Sequence, residues 1–181
     1  EVERGYPRAF YKAYFGEANI IELRSKGRQF ETAVLNRDST AIESILEAGL
    51  AKISFDQHIS SEKFYNSLIQ IYLDGMEIDV RSQVASSLGK SDLDLVFSNG
   101  VYVIIEIKLE IEPQDLSKLS IEEKRENARS LAQKGLEQIA TKEYSSQYIL
   151  EAKEIVEIGL GVFGRSKVGV TLKDRKVTRR P

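Results

Sequence analysis

Glu106 and Lys108 stand out in this chain because each is a charged residue set among apolar, strand-forming neighbours, and Asp92 because it stands at the mouth of another such run. Leu93 to Phe97 and Val101 to Leu109 are mostly β-branched, aromatic or leucine residues. Charge inside such a run is costly unless it has a partner or a task. Alternate side chains of a strand share a face, so Tyr102, Ile104, Glu106 and Lys108 point one way and Val101, Val103, Ile105, Ile107 and Leu109 the other. Two carboxylates about 5 Å apart, at an effective dielectric of about 20, repel by roughly 3 kcal/mol. A divalent cation removes that repulsion. Hard Mg2+ or Mn2+ takes carboxylate, carbonyl and water oxygens, acidifies a bound water and stabilises charge on a phosphoryl oxygen. Lys108, on the same face as Glu106, would orient an attacking water and offset developing negative charge. Asp94 shares a face with Asp92 and is the alternative ligand.

Whether the two carboxylates meet depends on one turn. Asn99-Gly100 separates the two runs and is a strong hairpin signal. A two-residue loop would pair Leu93 with Glu106 and leave Asp92 and Glu106 on opposite faces. A three-residue loop, Ser98-Asn99-Gly100, pairs Phe97 with Val101, Asp92 with Glu106 and Asp94 with Ile104. It needs a left-handed residue at its third position, where Gly100 stands. The chemistry requires the second register.

The second of these strands is apolar on both faces, which means a central strand covered on two sides, as in α/β proteins. Upstream, Asp38 and Ser39 offer an N-cap to a helix with Ile42, Ile45, Leu46, Leu50 and Ile53 on one face. Ser60 and Ser61 do the same for a second helix with the stripe Phe64, Leu68, Ile71 and Tyr72, widened by Ile69 and Leu73. Glu62 falls in the first turn of that helix, where a carboxylate either complements the dipole or borders the site. Ile78, Val80 and Val84 alternate with polar residues as in a half-wet strand. Downstream, Pro113 marks a break, and Ser120 with Glu123 forms a capping box opening a helix through Lys142, with Ala128, Leu131, Ala132, Gly135 and Ile139 on its buried line. Strands follow at Ile155 to Val162 and Val168 to Leu172, then a basic end with Lys173, Arg175, Lys176, Arg179 and Arg180. Residues 1–37 mix aromatics with charges without a clean period and are expected to be an N-terminal appendage or linker. A single domain is expected over residues 38–181. The missing initial methionine and the Arg179-Arg180-Pro181 end suggest a piece of a longer protein.

With 181 residues, 41% of them hydrophobic, the chain can bury a substantial core. Its formal charge of -2 gives no general attraction to polyanions. The absence of cysteine excludes disulfides, zinc–thiolate sites and cysteine nucleophiles. The single histidine, His58, excludes histidine-pair chemistry and leaves a Ser-His-Asp arrangement without further support. No Gly-rich phosphate loop precedes a helix. No apolar run approaches membrane-spanning length, so no membrane partner is expected and the cytoplasm is the default location.

Read in order, Gly89-Lys90-Ser91-Asp92, then Glu106-Ile107-Lys108, then Gln138-Ile139-Ala140-Thr141-Lys142-Glu143-Tyr144 resembles the PD-(D/E)XK nuclease superfamily. The branch it is most similar to is commonly found C-terminal to AAA-ATPase-like domains and carries GRxD, ExK and QIxxKxY elements. Ser60 to Ile69 is similar to that branch's first helix. Lysine replaces the arginine of the first element at Lys90, and the segment between Lys108 and Gln138 is longer than the pattern. The resemblance implies a three-layer α/β/α restriction-endonuclease-like fold with a central mixed sheet. It also implies Asp92 and Glu106 as ligands of Mg2+ or Mn2+, the carbonyl of Ile107 completing the site, and Lys108 as the catalytic cation. Glu62, Asp94, Gln138, Lys142 and Tyr144 are possible accessory residues. The expected function is divalent-metal-dependent hydrolysis of phosphodiester bonds in nucleic acid, DNA before RNA, with an ATPase domain of the same longer chain as a possible partner. The rival is a catalytically silent nuclease-like interaction or regulatory module of an ATPase-linked protein. A silent module has no physical reason to keep a repulsive carboxylate pair.

Overall fold

The computed structural model describes residues 2–17, 19–57, 59–111 and 116–177. His58, Pro113, Arg179 and Arg180 therefore lie outside the described residues. Helices α1 (Val2–Phe15), α2 (Ile20–Leu35), α3 (Ser39–Leu50) and α4 (Glu62–Gly75) precede strands β1 (Asp79–Ser86), β2 (Gly89–Val96) and β3 (Val101–Glu110). Helix α5 (Ile121–Lys142), a 3-10 turn (Tyr144–Tyr148), β4 (Glu154–Phe163) and β5 (Lys167–Arg175) complete the order. The strands form one mixed sheet in the order β1-β2-β3-β4-β5, antiparallel except for the central β3–β4 pair. A parallel pair requires a crossover, and α5 supplies it.

The two apolar faces of β3 each find a layer. Val103, Ile105 and Ile107 enter a core with Leu68, Ile69 and Leu73 of α4 and with residues of α1 to α3. Ile104 packs on the opposite side against Ile139, Tyr144, Tyr148 and Ile155. The architecture is the three-layer α/β/α arrangement. Residues before position 38, expected as an appendage, form α1 and α2, whose Tyr11, Phe15, Leu23, Phe30 and Val34 join that same core. Phe15 and Tyr11 lie against Tyr72 with ring centroids 4.8 and 5.9 Å away. The start of α2 is capped by Asn19, whose side chain accepts from the Glu22 N–H at 2.9 Å. In α4 the buried stripe is Tyr65, Leu68, Ile69, Tyr72 and Leu73, with Phe64 and Ile71 only partly buried, a small rotation from the expected line.

The hairpin adopts the three-residue loop. The Phe97 N–H donates to the Val101 carbonyl at 2.9 Å, the Gly100 N–H donates to the Phe97 carbonyl at 2.9 Å, and Gly100 sits at φ 83°. Leu93 pairs with Ile105 and Asp94 with Ile104. Helix α5 opens on the capping box, Ser120 and Glu123 exchanging hydrogen bonds at 3.2 and 2.7 Å. It lies so close to β4 that a Cβ at Gly159 would stand 1.8 Å from the Ala132 carbonyl oxygen, and one at Gly161 1.9 Å from that of Ala128. These glycines set the distance between α5 and the sheet.

Candidate active site

The β2–β3 ladder stops at Leu93–Ile105. In the same register Ile107 would face Ser91, but its N–H instead donates to Oδ2 of Asp92 at 2.8 Å. A side chain thus takes the place of the next backbone partner, and it draws the Asp92 carboxylate beside the ExK strand. Oδ1 of Asp92 accepts from Nδ2 of Asn66 in α4 at 2.7 Å and from Nε2 of Gln83 in β1 at 3.3 Å. Burial pushes the Asp92 carboxyl above the usual aspartate range, opposed by the Ile107 N–H, the Lys108 charge and the two amides.

Glu106 is 3% exposed and its two oxygens are treated differently. Oε1 accepts from Lys108 Nζ at 2.9 Å and from Gln138 Nε2 at 2.5 Å. Oε2 is buried with no hydrogen-bond partner among the described residues. Burial raises the Glu106 carboxyl to about 7; the Lys108 hydrogen bond and charge work against this, while the neighbouring Asp92 and Glu62 charges add to it. For Lys108 burial pulls downward, but the Glu106 hydrogen bond and the charges of Glu106, Glu62 and Asp92 raise it, so it is a cation at neutral pH. Glu62 approaches from the first turn of α4, its Oε1 3.9 Å from Lys108 Nζ.

Among the other expected residues, Gln138 is brought onto Glu106 and also donates to the Tyr144 hydroxyl at 3.2 Å. Tyr144 is buried, and Lys142 remains exposed in the last turn of α5. Asp94 is fully buried, and both of its oxygens are engaged, by Ser91 Oγ at 2.6 Å and the Tyr148 hydroxyl at 2.5 Å. With Ser145 donating to the buried Glu157 at 2.6 Å, it fastens the 3-10 turn to the sheet. The Tyr148 hydroxyl is pushed upward by burial and by this carboxylate neighbour.

A family model for the PD-(D/E)XK nuclease superfamily matches residues 60–171. The chain belongs to that superfamily. No curated protein and no solved structure gives a match. The matched stretch holds every residue of the candidate site described above and begins after α3, leaving α1 to α3 outside it.

The oxygen atoms of this candidate site fit a hard cation. Oε2 of Glu106 is an unpartnered buried acceptor next to a second carboxylate, which is where a positive charge is most favourable. Among the described residues no group of three or more Asp, Glu or His side chains gathers to hold a metal. The two carboxylates of Asp92 and Glu106 are the anionic set, and Mg2+, which keeps several waters, needs no larger one. Asn66 and Gln83 are absent from the sequence reading. Asn66 lies one helical turn after Glu62 and so on the same face, a spacing that could have found it. Gln83 carried no comparable signal.

Proposed function

We propose that this chain is a divalent-metal-dependent nuclease that hydrolyses phosphodiester bonds in nucleic acid. Membership of the superfamily supports a nucleic-acid substrate. The resemblance of the three sequence elements to the AAA-ATPase-associated branch is the ground for proposing DNA and an ATPase domain as partner. The observation that carries the reading is the unpartnered, buried Oε2 of Glu106 beside Asp92, with the Lys108 ammonium 2.9 Å from the other oxygen of the same carboxylate. Asp92, Glu106 and the Ile107 carbonyl would hold Mg2+ or Mn2+, which when bound supplies an acidified water and neutralises phosphoryl charge. Gln138 and Lys108 fix Oε1 of Glu106, leaving Oε2 facing the cation position. Lys108 then orients the attacking water and stabilises the negative charge that grows on the phosphate oxygens. Glu62 Oε1, 3.9 Å from the Lys108 ammonium, adds a second negative charge beside it. No helix of the described residues is long and apolar enough to cross a membrane.

Labelled DNA and RNA incubated with Mn2+ or Mg2+, against a chelator control and against Glu106→Ala, test the reading. Cleavage that needs the metal and vanishes in the variant is expected. If the unmodified protein neither binds metal at millimolar concentration nor cleaves, the silent-module alternative takes its place.

A further inference from the structure

Among the described residues the non-glycine positions at positive φ are Arg37, Glu77, Gln83 and Glu143. Arg37 and Glu77 directly follow the C-caps of α2 and α4, and Glu143 is itself the C-cap of α5. Left-handed backbone is ordinary at such places. Gln83, at φ 52°, lies inside β1. A Cβ makes that conformation unfavourable, and within a strand nothing about helix termination accounts for it.

The departure is local. Ser82 pairs with Leu93 and Val84 with Ser91 in one unbroken register, and only the Gln83–Asp92 pair between them is skipped. No residue is inserted, so this is not a bulge. One residue is twisted out of the ladder opposite Asp92, and its amide Nε2 ends 3.3 Å from Oδ1 of that aspartate. Asn66 reaches the same oxygen from α4 at 2.7 Å, while its own Oδ1 is buried without a partner among the described residues. An edge strand and a helix therefore converge on one carboxylate oxygen, one with a disfavoured backbone and the other with an unsatisfied acceptor. Neither feature favours folding. Strain retained by its surroundings is typical of functional positions.

A carboxylate offers about four acceptor positions. Asn66, Gln83 and the Ile107 N–H occupy three of those of Asp92, leaving the open one on Oδ2. We propose that Gln83 and Asn66 are positioning residues that hold Oδ1 of Asp92, so that this carboxylate meets a small octahedral cation through Oδ2 alone. The inference rests on the reading of Asp92 as a metal ligand. Gln83 is exposed, so removing its side chain opens no cavity in the core.

Calorimetric titration of metal-free protein with Mn2+, together with metal-free thermal unfolding, separates the possibilities. The unmodified protein is titrated first, and absence of binding there overturns the nuclease reading and this inference with it. Given binding, Gln83→Gly should unfold at an equal or higher temperature than the unmodified protein, since glycine accepts positive φ, yet bind Mn2+ roughly tenfold or more weakly, the usual effect of losing a partner that orients a ligand. Asn66→Ala should weaken Mn2+ binding by at least as much. Mn2+ affinity of Gln83→Gly within twofold of the original, or a lowered metal-free unfolding temperature, overturns the assignment of Gln83 to positioning and leaves the nuclease reading standing.

Discussion

Replacing Glu106 by glutamine keeps the shape and the acceptor facing Lys108 and Gln138 but removes a buried charge. A carboxyl moved from 4.5 to about 7 corresponds, at about 1.4 kcal/mol per pH unit, to a ceiling of about 3 kcal/mol. Relaxation and screening around the carboxylate reduce the expected effect to about 2 kcal/mol. The sign follows from proton binding. Between pH 4.5 and about 7 the folded state holds a proton on Glu106 that the unfolded chain has released, so this group's stabilisation is complete below pH 4.5 and is lost as pH rises through 7. Metal-free Glu106→Gln should therefore match the unmodified protein near pH 4 and exceed it at pH 8. For a chain of this length about 2 kcal/mol is a gain of roughly 4–8 °C in unfolding temperature. Calorimetric melting of both proteins in chelator across that range is the assay. A variant that melts lower at pH 8 would show that Glu106 is held ionised at no cost, and the argument from an uncompensated carboxylate would fail. In Mn2+ the order should reverse, because only the glutamate gains RT ln(1 + [L]/Kd).

Lys108→Ala should lose most turnover while keeping Mn2+ affinity within a few-fold, measured by single-turnover cleavage beside titration calorimetry. Near-normal cleavage would remove Lys108 from the chemistry. Tyr148→Phe strips one donor from buried Asp94 and should cost about 2 kcal/mol in urea unfolding while leaving Mn2+ affinity unchanged. A loss of Mn2+ binding in that variant would restore Asp94 as a ligand. Gly159→Ala drives a methyl into the Ala132 carbonyl and should cost about 3 kcal/mol, with cleavage falling as Gln138 is carried away from Glu106.

The readable parts were those in which one local rule had one outcome. Asn99-Gly100 with glycine at the third loop position set the hairpin register, and Ser120 with Glu123 announced α5. The double apolar face of Val101 to Leu109 required layers on both sides, and α4 and α5 supply them. The first two helices were hidden because their stripe is aromatic among charges and the Asn19 cap is a single side chain. Asp92 and Asp94 looked equivalent by strand period. Their difference comes from partners distant in sequence, Asn66 for one and Tyr148 for the other, and from a strand pair that ends between them, keeping Asp94 in the ladder and leaving Asp92 just beyond it. Backbone twist at Gln83 is a tertiary effect with no residue pattern to signal it.

The end of the β2–β3 ladder also equips the molecule with a reporter. The Ile107 amide hydrogen points at a carboxylate instead of a carbonyl, so its magnetic shielding follows the charge that Asp92 carries. Any ion drawing on that carboxylate will move this one resonance, while the amides of Leu93 and Ile105 one step away stay in their backbone pairs. A single backbone signal can thus report whether added Mg2+ reaches the Asp92 carboxylate, without nucleic acid and without a chromophore.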